Sequence, residues 1–376
     1  MTCRPLRPSG SFTEYLEDSP YTISCSAPMG SGGLGRHLQE MVEEVRGRGR
    51  LVAYFSPGPA AGDPYGVSVD YGIPPISKWA RVVRRSWSLA TRLDAEHFDR
   101  AVAARLPVRG GTFVGFVGQA LHSFRRARAV GWHRLALVAA NSHPNNVLRR
   151  HAAALAEYPL ETSWLDRSLA AKMRLEYELA DVIYANSDYT RDSLIAEGIP
   201  PSKIVRQFLT PDPRYVPPPN RCRDGVFRIV YVGSVTVMKG IPWLIEAFHR
   251  ARLPNAQLKL LGGWCSRGMK LYLQKQMLQD PRIRVTPCDP LEDLRHADLC
   301  VHPSFEDGFG YGPAEALACG LPVVTTEDTG MKECITEGVN GFIVRAGDTS
   351  SLTECIAGAA NRERRSACAI SPRQRA

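Results

Sequence analysis

The chain has 376 residues, enough for two domains or three. Apolar residues at 44% and charged residues at 23% match globular usage, which excludes wholesale disorder and fibrous repeats. No apolar run reaches the ~18–20 residues of a membrane span, and the net charge of +9 is uneven: between Pro74 and Ala152 stand 14 Lys and Arg against 3 acids, so the rest of the chain sums to −2.

The first residues show no apolar core followed by a small-residue cleavage site, so a cytoplasmic protein is expected. Residues 21–28 (YTISCSAP) predict a strand, 29–35 (MGSGGLG) a glycine turn, 36–49 a helix and 50–56 a second strand. Leu38, Met41, Val42 and Val45 recur at helical spacing. Residues 57–76 read as loop, 78–105 as helical, and 110–117 and 135–140 as strands. A helix over 168–181, a strand over 182–187 and a helix over 189–197 follow.

Residues 208–225 hold five prolines and read as a linker. Beyond it, strands are predicted at 227–232, 258–261, 283–286, 298–302, 322–325 and 342–344. Helices are predicted at 241–251, 269–279, 313–319 and 350–359. Such alternation indicates parallel sheets covered on both faces. The expected organisation is an N-terminal α/β domain at 1–207, the linker, a C-terminal α/β domain at 226–359 and an irregular tail at 360–376. Ten scattered cysteines form no CxxC pair and are read as reduced thiols in apolar runs.

The richest segment is HPSFEDGFGYGPAEALACGLPVV (302–324). A strand ending at His302 leads into a turn with Glu306, Asp307, Gly308, Phe309 and Gly310. A helix opening near Pro313 puts Glu315 in its first turn. The acids can accept hydrogen bonds from sugar or ribose hydroxyls. A helix-dipole role for Glu315 is the plainer alternative.

This segment resembles the signature of the family 4 glycosyltransferases, retaining enzymes of the GT-B fold, in which two Rossmann-like domains face each other across a cleft. The family's acidic pair is separated by seven residues; counting back from Glu315 reaches Asp307, with Asp where Glu is usual. VYVGSVTVMKG (230–240) is similar to the family's strand and turn whose basic pair grips the donor diphosphate. Lys239 matches the lysine, Ser234 stands where an arginine is usual, and Gly233 precedes it. Gly262, in LKLLGGW, matches a glycine turn near the nucleotide. Gly32 and Gly33 match the loop facing phosphates and acceptor, and His143 matches a first-domain histidine near the reacting sugar.

The resemblance covers about 21–56 and 135–358 and implies a nucleoside-diphosphate-sugar donor and a saccharide or lipid-linked acceptor. It implies Asp307, Lys239 and His143 as catalytic residues, with Glu315, Gly308, Phe309, Gly310, Gly233, Ser234 and Gly262 at the donor. No cofactor and no metal are expected, and no Asp-x-Asp motif stands in the expected site. The basic segment 78–150 suggests peripheral contact with an anionic membrane, with Arg84, Arg85, Arg125 and Arg126 among its charges. Nucleic-acid binding is not expected, since no binding motif accompanies the charge. A dinucleotide-binding reading of Gly30, Gly32 and Gly35 lacks the acid expected after the second strand. The alternative function is a catalytically degenerate GT-B protein that binds nucleotide-sugars or a partner.

Overall fold

Short β-prone runs separated by apolar stripes at helical spacing become strands and helices that largely alternate. The computed structural model describes residues 18–69, 87–221, 224–264 and 266–370, with side chains through Asn361. The first sheet holds β1 (Tyr21–Ser24), β2 (Leu51–Ser56), β3 (Gly66–Ser68), β4 (Gly110–Phe116), β5 (Trp132–Ala139), β6 (Val182–Ala185) and β7 (Ile204–Arg206). Its helices are α1 (Gly32–Gly47), α2 (Trp87–Ala103), α3 (Leu121–Ala129), α4 (Pro144–Glu157), α5 (Arg167–Leu179) and α6 (Asp188–Ala196). The strand order is β3-β2-β1-β4-β5-β6-β7, parallel throughout.

The second sheet holds β8 (Phe227–Val232), β9 (Ala256–Leu261), β10 (Ile283–Val285), β11 (Leu299–His302), β12 (Val323–Thr326) and β13 (Gly341–Val344). Around it lie α7 (Ile241–Arg250), α8 (Arg267–Gln279), α9 (Leu291–His296), α10 (Tyr311–Ala318) and α11 (Thr349–Ile370). Its order, β10-β9-β8-β11-β12-β13, is again parallel. Both orders reverse direction once, between β1 and β4 and between β8 and β11, as in Rossmann-like folds. The two α/β units expected from the alternation are present.

Parallel strands are covered on both faces, so their side chains are buried without alternation: Leu135 through Ala139 are all fully enclosed. The helical stripe of α1 delivers Leu38, Met41, Val42 and Val45 to the first core, each at most 1% exposed. By internal contacts the chain divides into residues 1–149 with 162–209, and residues 150–161 with 210–376. Helix α4 therefore starts in the first unit, and from Arg150 onward its residues belong with the second.

Three local readings differ from the structure. β3 lies within the stretch read as loop, because three residues are too few to show alternation. α10 opens at Tyr311 with Gly310 as its N-cap, not at Pro313. Glu315 is consequently beyond the first turn and buried, at 1% exposure, so it does not serve the helix dipole. α11 continues to Ile370, through a stretch where Arg, Glu and Ala favour helix without an apolar stripe to reveal it.

Candidate functional site

In sheets of this order, ligands gather beyond the carboxyl ends of the strands flanking the reversal. In the second unit that point lies between the turn after β8 and the turn after β11. Of the residues singled out from the sequence, Gly233, Ser234, Lys239, Asp307, Gly308, Phe309 and Gly310 lie on the turns around it.

β8 ends at Val232 and the chain turns through Gly233 and Ser234, the latter exposed. Gly233 has φ 142°, and the Tyr231 hydroxyl donates to the Ser234 carbonyl at 2.8 Å. Gly262, after β9, lies against this turn: a Cβ there would be 1.9 Å from the Gly233 carbonyl oxygen. Its glycine is thus required for backbone packing, whatever it offers a ligand. Lys239 comes two residues before α7, and Gly240 between them has φ 74°, with a would-be Cβ 2.0 Å from the Pro303 carbonyl oxygen. That close approach seats the lysine-bearing turn on the turn after β11.

There the Lys239 ammonium donates to Asp307 Oδ2 at 2.7 Å and to the Glu306 carbonyl at 3.2 Å. His302 Nε2 donates to the same Asp307 oxygen at 3.1 Å, and its ring lies parallel to Tyr231, 5.9 Å between centroids. His302 Nδ1 is buried without a hydrogen-bond partner among the described residues. Burial alone would raise the Asp307 pKa, but Lys239, followed by His302, holds its carboxyl well below the usual range. The side chains of Lys239 and Asp307 are 24% and 19% exposed, so the pair is shielded yet reachable. Glu306 is buried, and its carbonyl also accepts from the Ser304 hydroxyl at 2.8 Å.

Backbone bonds tie the Asp307 turn to the loop after β12: the Asp307 amide donates to the Asp328 carbonyl at 3.3 Å and the Gly330 amide to the Asp307 carbonyl at 3.0 Å. Gly308 and Phe309 are buried, and the Phe309 ring meets Tyr311 edge-on at 5.5 Å. Gly310, with φ 91°, opens α10, which carries Glu315. Lys239, Asp307 and the flanking glycines are therefore assembled within one unit.

Gly32, Gly33 and His143 belong to the first unit. Gly32 and Gly33 open α1, exposed; N-cap Ser31 makes no side-chain cap, and no acid stands in the first turn. The helix start thus presents amide groups and a partial positive charge outward. His143, 4% exposed, precedes α4. The Asn145 amide donates to its Nδ1 at 3.3 Å, which leaves the proton on Nε2. Burial pulls its pKa down to about 4, against the opposing pull of Glu197, whose carboxylate lies 3.8 Å away. At neutral pH His143 is an uncharged donor. Ser187, after β6, caps α6 by accepting from the Thr190 amide.

Sequence reasoning did not single out His302, Arg150, Asp328 or Glu161. Nothing in local wording marks them: Arg150, Asp328 and Glu161 act through partners distant in sequence, and His302 merely closes a strand. The charge of segment 78–150 is partly spent on ion pairs: Arg100 with Glu96, Arg128 with Asp181, Arg149 with Glu197 and Arg150 with Asp328. Arg125 and Arg126 are exposed on α3, while Lys78, Arg84 and Arg85 lie outside the described residues. Among the described residues, no helix is long and apolar enough to cross a membrane.

Residues 226–361 match the family Glycosyl transferases group 1, and residues 31–206 match Glycosyltransferase Family 4. The D-inositol 3-phosphate glycosyltransferase of Pseudarthrobacter chlorophenolicus is 28% identical over 178 residues, 44% of this chain and 41% of that protein. The capsular polysaccharide biosynthesis glycosyltransferase CapM of Staphylococcus aureus is 31% identical over 135 residues, 35% of this chain and 36% of that one. The matched stretches thus span well under half the length of these curated relatives. Sucrose-phosphate synthase from Thermosynechococcus elongatus superposes with a TM-score of 0.67 at 17% identity, covering 93% of this chain and 94% of that one. Anabaena HepE in complex with UDP-glucose gives 0.64 at 17% identity, over 93% and 92%. At these identities the likeness shows the fold.

Proposed function

The chain belongs to the family 4 glycosyltransferases and has their GT-B fold, and on that premise we propose that it moves a sugar, with retention, from a nucleoside-diphosphate-sugar to a hydroxyl of a saccharide or lipid-linked acceptor. One observation carries this reading: the Lys239–Asp307 pair, 2.7 Å apart, stands at the strand ends where the second sheet reverses, inside the matched stretch. Lys239 neutralises charge on the departing diphosphate. Asp307 orients Lys239 and offers its remaining acceptor capacity to sugar hydroxyls, and Glu315 holds the ribose. The α1 amides at Gly32 and Gly33 suit a phosphate, and His143 donates from Nε2 to a sugar hydroxyl. With a lysine and helix amides meeting the leaving charge, the transfer runs without a metal. In the mechanism that fits retention, the donor phosphate takes the acceptor's proton on the face of departure.

The test is nucleoside diphosphate release from UDP-, GDP- and ADP-sugars, with and without a mixed saccharide and lipid extract. Acceptor-dependent release, lost in Glu315→Ala and Lys239→Ala, is expected, with the product's anomeric configuration retained by NMR. An inverted product would refute retention. Nucleotide binding with no turnover on any acceptor would favour a degenerate, partner-binding protein. Peripheral contact with an anionic membrane, through Arg125 and Arg126, predicts that reversing those charges lowers sedimentation with anionic vesicles; equal sedimentation rejects it.

A further inference from the structure

A diphosphate leaves with more than one negative charge, yet Lys239, the cation at the turn after β8, is already matched by Asp307. Ser234, in the same turn, is uncharged. A second cation comes from a segment remote in sequence. Arg150, on the part of α4 that belongs with the second unit, sends Nη2 to Asp328 Oδ1 at 2.5 Å. Asp328 is 3% exposed, its Oδ2 has no hydrogen-bond partner among the described residues, and its carbonyl accepts from the Asp307 amide. The two cation–carboxylate pairs are thus joined through one backbone bond.

The segment bearing Arg150 is pinned beside the Lys239 turn. The Glu161 carboxylate accepts from the Val237 amide at 2.6 Å and from the Ser266 hydroxyl at 3.0 Å. The Tyr158 hydroxyl donates to Glu246 at 3.0 Å, and its ring meets Trp243 edge-on at 4.7 Å. His151, next to Arg150, is buried and close enough to Lys239 for that charge to add to the burial that pulls its pKa down to about 3. The Arg150 side chain nevertheless remains 41% exposed, so its guanidinium is reachable from solvent.

We propose that Arg150 is a second phosphate-binding cation of the donor site, held on Asp328 until a diphosphate takes its place. The proposal rests on the donor-binding reading above. Guanidinium suits this exchange because its planar fork pairs equally well with carboxylate and phosphate oxygens. Asp328 then acts as a place-holder whose negative charge competes with the ligand.

The experiment is calorimetric titration of the full chain with UDP, GDP and ADP and with their nucleosides. Arg150→Gln is expected to weaken the diphosphate that binds best by about 10–100-fold, the worth of one charged hydrogen bond, and to leave the nucleoside unchanged. Asp328→Asn, which frees the guanidinium, is expected to tighten diphosphate binding. Should Arg150 serve only to neutralise Asp328, Arg150→Gln/Asp328→Asn would recover wild-type affinity, and that result overturns the proposal. The double variant also carries the comparison, against Asp328→Asn, if Arg150→Gln alone does not fold. Adding Ser234→Arg to Arg150→Gln is expected to restore diphosphate affinity. A wild-type chain that binds none of the three diphosphates refutes the donor reading itself. Wild-type binding matched by Arg150→Gln refutes only the part assigned to Arg150.

Discussion

The Lys239–Asp307 contact can be weighed by a double-mutant cycle of Lys239→Met, Asp307→Asn and the pair together. An exposed ion pair contributes ~0.2–1 kcal/mol, and a hydrogen bond to a charged group ~1.5–3 kcal/mol. Here the nitrogen and oxygen are 2.7 Å apart, both side chains are more than three-quarters covered, and His302 holds the carboxylate from a second side. The coupling should therefore fall at about 1.5–3 kcal/mol. Lys239→Met alone should cost about 2–4 kcal/mol, because it strands a shielded carboxylate. The double variant, with neither charge, should lie within about 1 kcal/mol of wild type. Because the folded Asp307 pKa is depressed, the pair's contribution is fully present above pH ~4 and is lost as pH falls through the folded value. That acid-side loss should shrink in Lys239→Met, where His302 alone still holds the carboxyl down. Urea unfolding gives the energies, and hydrogen exchange of peptides spanning 299–310 assigns them to the second unit. A coupling below about 0.5 kcal/mol, the worth of an exposed pair, would refute the reasoning. So would a double variant as unstable as Lys239→Met.

Three further outcomes are expected. Burial pushes the Glu161 carboxyl up to about 7, against the lowering bonds from Val237 and Ser266. Its contribution to stability is complete below the unfolded value near 4.3 and is lost as pH rises through about 7, a decline of about 1–3 kcal/mol that Glu161→Gln should abolish; urea midpoints that fall in parallel would contradict this. Gly240→Ala forces a left-handed φ on alanine and drives its Cβ into the Pro303 carbonyl, so a loss of about 2–4 kcal/mol is expected by thermal unfolding, and a melting point within one degree or so of wild type would count against the packing argument. His143 is neutral above its pKa of about 4, so His143→Gln should lower the transfer rate by a constant factor from about pH 5.5 to 8.5; a limb near pH 6–7 that disappears in the variant would show that His143 titrates there instead.

Strand–helix alternation was legible because parallel strands and amphipathic helices write strong local patterns: α1, β8 and β12 fall within a few residues of their predicted ranges. Elements with little apolar signal were not legible. α3 and α9 are short and polar, and α4 opens on Pro-Asn-Asn, which reads as loop. In the candidate site, Asp307 and Glu315 stood out because their spacing lies along one stretch of chain, and Lys239 because it closes a strand-and-turn segment of its own. His302 escaped notice because a histidine closing a strand has no signature of its own. Arg150 and Asp328 lie 178 positions apart, and only the folded chain puts a guanidinium on that carboxylate. Asp307 shows the limit from the other side: the sequence exposed the shorter acid but not its consequence, a direct grip on Lys239.

The division of α4 bears on how this protein could be taken apart or recombined. A gene fragment starting after the proline-rich stretch near residue 210 would encode every strand of the second sheet yet omit 150–161. Val237 and Ser266 would lose the Glu161 carboxylate, Trp243 and Glu246 would lose Tyr158, and Asp328 would lose its guanidinium. Such a fragment would leave unpaired the Val237 amide and the buried Asp328 carboxylate that the intact chain pairs with residues 150–161. The second unit is therefore no cassette that a single crossover could transplant: an exchange between relatives would have to move two separated stretches of coding sequence together, or find a recipient whose own helix already carries matching anchors.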